Sequence, residues 1–337
     1  MKAPAVAPAR AADADVLRAC LEEQVVPRLT GRRRPVVDVE RKPAATSGSY
    51  GAYTIRARFA DGRALRLFLK DYGTSSRPRR DLRARREREL AVYRELLSPP
   101  DLGTARHLGA AWDDAARRHW LLLELVEGSL LRDLDLECWF APLEWLGQLH
   151  GRFVGAWDAA AAPPFLERHD EGFFRDKAGR ALAAVGSRAP RLAARMALVA
   201  ERLQDVLPVL TTGPRTLVHG AFLPANVIVT PAEPARICAV DWELAAVGAP
   251  FYDLASFCDG FEAPTLDRML AAYRRGAEAG GLALPPDREI VRSIDCFRLH
   301  RVMDMLAVAD EKRYPDEAIE RLVSRGEALG ALVEARA

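Results

Sequence analysis

His219-Gly220-Ala221-Phe222-Leu223-Pro224-Ala225-Asn226 is followed across a short hairpin by Asp241-Trp242-Glu243, and these two segments carry the most chemical information in the chain. Val227-Ile228-Val229-Thr230 and Arg236-Ile237-Cys238-Ala239-Val240 are β-branched, apolar runs, and Pro231-Ala232-Glu233-Pro234 between them supplies turn chemistry. The pattern predicts an antiparallel hairpin. With its turn centred near Glu233, Asn226 at the start of one strand lies opposite Asp241 at the end of the other. An amide oxygen beside a carboxylate suits a hard cation, and Mg²⁺ typically takes one or two protein groups plus phosphate oxygens and water. Taken singly, an Asn capping a turn and an Asp ending a strand need no ligand. The loop in front of them turns the pair toward nucleotide phosphate.

At these anchors the chain resembles the aminoglycoside phosphotransferase and choline kinase family, relatives of the protein kinases. Members typically carry His-Gly-Asp-x-x-x-x-Asn, then Asp-x-Glu or Asp-x-Asp on the next strand, then Gly-x-x-x-x-Asp-Leu-Ala. This chain has His219-Gly220-Ala221 with Asn226, then Asp241-Trp242-Glu243, then Gly248-Ala249-Pro250-Phe251-Tyr252-Asp253-Leu254-Ala255. The resemblance covers roughly residues 15 to 330 and implies an α+β, two-lobed protein-kinase-like fold. Such a fold has a small antiparallel-sheet N-lobe with one helix and a larger, mostly helical C-lobe carrying the catalytic hairpin. It also implies ATP (or GTP) and Mg²⁺ as cofactors, Asn226 and Asp241 as metal ligands, and transfer of the γ-phosphate to a hydroxyl of a small molecule.

Ala221 departs from that pattern, standing where the family places the carboxylate that accepts the substrate hydroxyl's proton. A positioned general base contributes about 10²–10⁴-fold, whereas phosphoryl transfer is otherwise catalysed by positioning and electrostatics. The departure therefore impairs turnover more than nucleotide binding. Three readings stay open: an engineered loss of the base, a nucleotide-binding pseudokinase that works as a regulator or partner protein, or a base supplied by another segment or by the substrate. In the family the equivalent of His219 is structural. Asp253 reads as a brace for the loop, and Glu243 as an aid to a second Mg²⁺ or the partner of a neighbouring cation.

The N-terminal half offers a separate test, because a kinase needs a phosphate-covering loop, a lysine on a strand and a carboxylate on a helix. Tyr53, Ile55, Ala57 and Phe59 alternate with Thr54, Arg56 and Arg58, and Leu65, Leu67 and Leu69 continue the alternation to Lys70 beyond a turn at Asp61-Gly62. That turn places Lys70 opposite Tyr53, beside the small residues Ser47, Gly48 and Ser49, whose amides can approach phosphates. The chain has 44 arginines and only five lysines, so a lysine at position 70 is a choice. A compact ammonium on a flexible stem suits a phosphate clamp. A charged helix is expected from Pro78 to Leu97, stopped by Pro99-Pro100. Glu89 shares its face with Tyr93, Leu96 and Leu97, which makes it the partner expected for Lys70, with Glu87 as the rival on another face. The arginines around it read as a solvated, ion-paired surface.

Trp112 and the run Trp120 to Val126 form a second expected hairpin, after which Glu127-Gly128 breaks the pattern. By resemblance this is the hinge, where backbone groups from Glu124 to Val126 meet adenine. Helical spacing then marks Cys138 to Gly155, Ala181 to Leu210, Leu266 to Ala279, Asp287 to Ala309 and Pro315 to Ala335. His150, in Leu146-Gly147-Gln148-Leu149-His150, reads as a hydrogen-bonded structural residue.

The chain of 337 residues exceeds the usual size of one core, and 49% hydrophobic content fills two. The expected division is a disordered tail over residues 1–14, an N-terminal nucleotide-binding lobe over 15–126 and a C-terminal helical lobe over 127–337. A net charge of +2 gives no reason to invoke nucleic acid, and no apolar run approaches a membrane span. Five scattered cysteines without a Cys-x-x-Cys pair point to reduced thiols and a cytoplasmic protein, and the histidines show no zinc spacing. The partner expected is a small-molecule hydroxyl acceptor. Glu167, Asp170, Glu171, Asp259 and Glu262 favour a cationic one, while Arg175, Arg298, His300 and Arg301 leave an anionic or neutral one open.

Overall fold

Alternating apolar residues with a bulky inner face build a sheet, and the computed structural model shows one where the alternation begins. It describes residues 11–44, 50–74, 81–157 and 161–336. The chain divides into two compact units, Met1–Glu127 and Gly128–Ala337; the sequence places the break one residue earlier.

In the first unit, helix α1 (Ala11–Cys20) continues through a π turn into α2 (Val26–Thr30). A five-stranded antiparallel sheet follows: β1 (Val36–Pro43), β2 (Gly51–Phe59), β3 (Ala64–Asp71), β4 (His107–Asp113) and β5 (Arg118–Glu124), in the order β1-β2-β3-β5-β4. Helix α3 (Leu82–Ala91), extended by a π turn to Leu96, lies between β3 and β4 in sequence. Leu17, Leu21, Val25 and Val26 pack with Tyr53, Ile55, Ala57, Leu67, Leu69, Trp120 and Leu122 into one core, so the N-terminal helices cover a face of the sheet.

Several expectations change here. The tail reading extends too far, because α1 begins at Ala11. Leu17, Leu21 and Val25 recur at helical spacing, and Asp13 pairs with Arg118 at 2.8 Å. The unit thus has these helices in addition to the single one expected. Strand β1 is a further element beyond those expected from the sequence. Lys70 lies opposite Ala52, not Tyr53. The turn is longer by one residue than a two-residue hairpin: Phe59 N–H bonds to Arg63 O at 2.9 Å and Gly62 takes φ +81°. A loop with a left-handed glycine in its last position shifts the register by one. The charged helix starts at Leu82 among the described residues; residues 75–80 lie outside them.

In the second unit, β6 (Ser129–Leu130) opens the chain and α4 (Phe140–Phe153) follows. Next come β7 (Glu167–Arg168), α5 (Glu171–Arg188), α6 (Ala193–Thr211) and β8 (Thr216–Val218). The hairpin β9 (Val227–Val229) and β10 (Ile237–Ala239) precedes β11 (Ala246–Gly248), and helices α7 (Phe251–Phe257), α8 (Thr265–Ala279), α9 (Asp287–Ala307) and α10 (Asp316–Ala335) complete it. Two small sheets, β10-β9-β6 and β7-β11-β8, frame the loop between β8 and β9. The helix expected over Ala181 to Leu210 is two helices, α5 and α6. Proline at position 190 supplies no N–H to an α-helix and disfavours helical geometry in the residue before it, and Ala189 leaves the helical region there. Asp170 caps α5 by accepting the Phe173 N–H at 2.9 Å. Among the described residues, no helix is long and apolar enough to cross a membrane.

Candidate active site

The loop from His219 to Asn226 is held by its backbone. Asp253, on the first turn of α7 and fully buried, accepts the His219 N–H at 2.7 Å through Oδ2 and the Gly220 N–H at 3.0 Å through Oδ1. Gly220 has φ +79°, and a Cβ there would lie 2.1 Å from Leu244 O. Only glycine meets both demands, which explains the residue at that position.

His219 is fully buried and both its ring nitrogens are used. Nε2–H donates to Val240 O at 3.0 Å, and Nδ1 accepts the Ala221 N–H at 3.3 Å. Burial lowers its pKa below the ordinary imidazole value, against the opposing charges of Asp253 and Asp241. An imidazole so engaged locks the loop; it has no lone pair to offer a substrate proton. Ala221 itself is half-buried and carries no proton acceptor.

Asn226 closes the loop, its Nδ2 donating to Ala221 O at 3.0 Å. The hairpin register differs from expectation by one residue. Val240 N–H bonds to Asn226 O at 2.9 Å, so Asn226 lies opposite Val240 and not Asp241. The strands are shorter than their apolar runs, because Arg236 N–H and O bond to the Thr230 side chain and amide, closing the turn. Asp241 then leaves the strand in the left-handed conformation, φ +70° and ψ +56°, which Asp tolerates better than most residues. Glu243 is buried two residues on. An amide and a carboxylate flanking one strand end remain an oxygen donor set of the kind that Mg²⁺ accepts.

In the first unit, Lys70 Nζ lies 2.6 Å from Glu89 Oε2, with 11% and 1% of the two side chains exposed. Tyr72, the first residue after β3, opens a 3-10 turn and donates its hydroxyl to the same oxygen at 2.6 Å. The rings of Tyr50 and Tyr72 each sit 5.1 Å from the ammonium. Glu87 instead pairs with Arg83 at 2.7 Å on the exposed side. The sequence does not single out Tyr72, because it lies beyond the alternation of β3, in the turn that follows. Ser47, Gly48 and Ser49 lie outside the described residues. Glu124 ends β5 with its N–H bonded to Arg106 O at 2.9 Å, and Val126 follows beyond the strand.

The fold is similar to that of macrolide 2'-phosphotransferase MphH from Brachybacterium faecium, at 20% identity and a TM-score of 0.55 over 93% of this chain and 97% of that one. Choline kinase from Cryptosporidium parvum Iowa II matches at 9% identity and a TM-score of 0.60, covering 96% and 95%. A spectinomycin phosphotransferase in complex with ADP and spectinomycin matches at 13% identity and a TM-score of 0.56, covering 98% and 99%. At these identities the likeness is one of fold, and that fold is kinase-like. Among curated proteins no sequence matches the chain. Residues 47–292, most of the sequence, match the family model of the phosphotransferase enzyme family, APH, and the chain belongs to that family.

Proposed function

We propose that the protein is built as an ATP- or GTP-dependent phosphotransferase acting on a hydroxyl of a small molecule, with its turnover limited by Ala221. The observation that carries this reading is the loop held at His219 and Gly220 by Asp253, which presents position 221 and Asn226 beside the strand end that leads into Asp241. Family relatives with this fold include proteins named for phosphorylating a macrolide, spectinomycin and choline.

Each residue has a role in this reading. Lys70 holds nucleotide phosphate with its ammonium, and Glu89 and Tyr72 fix where that ammonium points. Ser47, Gly48 and Ser49 cover the phosphates, and backbone groups from Glu124 to Val126 meet the base. Asn226 and Asp241 hold Mg²⁺, which when bound offsets charge on the phosphate oxygens. Asp253, His219 and Gly220 fix the loop. With alanine at position 221, no side chain there takes the hydroxyl proton, and the rate rests on positioning and electrostatics. The same alanine supports a second reading, a nucleotide-binding pseudokinase.

A thermal-shift titration with ATP and MgCl₂ tests the shared premise: a saturable rise in Tm is expected, and none overturns both readings. Product formation by mass change, over a panel of an aminoglycoside, a macrolide, spectinomycin and choline, then separates them. The chain and its Ala221→Asp variant are compared. A rise in phosphorylation of at least about tenfold supports the enzyme reading; equal inactivity with nucleotide bound supports the pseudokinase.

A further inference from the structure

Helices α4 and α8 pack with their backbones in contact. A Cβ at Gly276 would sit 1.8 Å from Glu144 O, one at Gly147 would sit 2.4 Å from Tyr273 O, and one at Gly151 would sit 2.5 Å from the Gly280 carbonyl carbon. Gly147 and Gly151 on α4, and Gly276 on α8 with Gly280 at its C-cap, recur every four residues, so they form one seam. That close approach brings the Tyr273 side chain of α8 onto His150 of α4. The phenol oxygen lies 2.9 Å from Nδ1 of the imidazole, and Nε2 on the ring's other side lies 3.4 Å from Asp253 Oδ2. Tyr273, His150 and Asp253 are all fully buried. Thr216 at the start of β8 donates to His150 O at 2.7 Å, which fixes the backbone of that residue as well.

The order of donors follows from chemistry. Asp253 already accepts two backbone N–H groups of the loop and can only accept from the imidazole, so His150 must donate through Nε2. A neutral imidazole with a proton on Nε2 has a lone pair on Nδ1, which the Tyr273 hydroxyl fills as donor. Burial, and the charge of Asp253, push the Tyr273 phenol well above its ordinary value, which keeps the proton on its oxygen. The carboxylate thereby selects the tautomer, and the one hydroxyl fills the lone pair that this tautomer leaves on Nδ1, fixing the ring from its other side.

We propose that Tyr273 is a positioning residue for the loop His219 to Asn226, acting through the orientation of the His150 ring and, through that ring, of Asp253. The inference rests on the reading of that loop as the catalytic one. It assigns to α8, which reaches the loop here through His150 and Asp253, control over where residues 220 and 221 stand.

The test uses the full chain with ¹⁵N-labelled histidine and a Tyr273→Phe variant, which keeps the ring and removes one hydroxyl. Long-range ¹H–¹⁵N spectra are expected to show His150 as the Nε2–H tautomer in both chains, with the Nδ1 resonance moved in the variant, where its lone pair has lost a donor, and the Gly220 amide proton shifted. An Nδ1–H tautomer in the starting chain overturns the proposal, and that measurement stands even if the variant fails to fold. An unmoved Gly220 amide in a folded variant overturns it too. In the Ala221→Asp background, kcat is expected to fall about fivefold with KM for ATP unchanged, the cost of about one hydrogen bond; an unchanged kcat well below Tm overturns the proposal. The spectra need no turnover, so a failure of the catalytic reading, seen as absent ATP binding, is distinguishable from a failure of the network.

Discussion

The phosphate-binding candidate in the first unit and the loop in the second are stabilised in opposite ways. Lys70 and Glu89 hold each other through side chains, across a strand and a helix, with Tyr72 on the same oxygen. The loop is held by backbone N–H groups on a buried carboxylate, and position 221 contributes only its own N–H and carbonyl. A change of side chain at Lys70 or Glu89 therefore disrupts the first site, whereas one at position 221 leaves the second standing. This is how a chain can lose the base at position 221 and keep the loop's geometry.

The sharpest way to press that contrast is Ala221→Asp. The backbone bonds do not involve the new side chain, so the melting temperature should hardly move, while phosphorylation of a true acceptor should rise by about 10²–10⁴-fold. The rise should lie in kcat, with KM for ATP unchanged, measured by product mass over time. A large fall in Tm would show that the loop's backbone is not independent of that side chain. In the first unit the opposite holds. Glu89→Ala leaves a buried ammonium and the Tyr72 hydroxyl without that acceptor, and breaking a buried pair costs about 3–5 kcal/mol. Urea unfolding should read this loss, and the ATP-induced rise in Tm should disappear with it.

Acid separates the two units further. Burial pushes His300 down to about 3, from an ordinary value of 6.5, and holds His169 well below that value. Burial also lowers His219 in the same unit; in the first unit His107 is pushed down to about 4 by burial and by Arg28 and Arg94. Above pH 6.5 these groups are neutral whether folded or not. Below it the unfolded chain binds protons that the folded chain refuses, so stability falls with pH, by up to about 1.4 kcal/mol per unit for each histidine. More such histidines lie in the second unit. Hydrogen exchange, corrected for intrinsic rates, should accelerate in α5 and α9 at about pH 5 before it does in β3 and β5. His300→Phe should reduce the slope of the urea midpoint against pH.

How much of this was legible in the sequence follows from the range of each signal. Period-two alternation marked β2 and β3, and the inward face of the charged helix singled out Glu89 over Glu87, because both are local patterns. Registers were not local. The one-residue slips at Lys70 and at Asn226 both come from turn geometry, set by Gly62 in a left-handed conformation and by the bonds between Thr230 and Arg236. Asp253 was legible as a brace through its motif. Tyr273 was not, since it meets His150 across 123 residues through a glycine seam that has no pattern until the helices are paired. The helical start of the chain, α1 and the π turn after it, is readable from Leu17, Leu21 and Val25, but the alanine-rich beginning conceals it.

The smallest effect tests the finest feature of the contrast, the double occupancy of one Glu89 oxygen. Tyr72→Phe removes a hydroxyl 2.6 Å from Oε2 while the Lys70 ammonium, also at 2.6 Å, keeps the carboxylate paired. No buried charge is left without a partner, so the loss is that of one hydrogen bond to a charged group, about 1.5–3 kcal/mol at most and nearer 1 if the ammonium tightens on the freed oxygen. The ring itself remains, and with it the 5.1 Å approach to Nζ and the 4.9 Å edge contact to Tyr50. Urea unfolding should therefore show a loss well below that of Glu89→Ala, with the ATP-induced rise in Tm retained. If Tyr72→Phe instead abolished that rise, the hydroxyl and not the carboxylate would be what aims Lys70, and the side-chain clamp of the first unit would have a different centre.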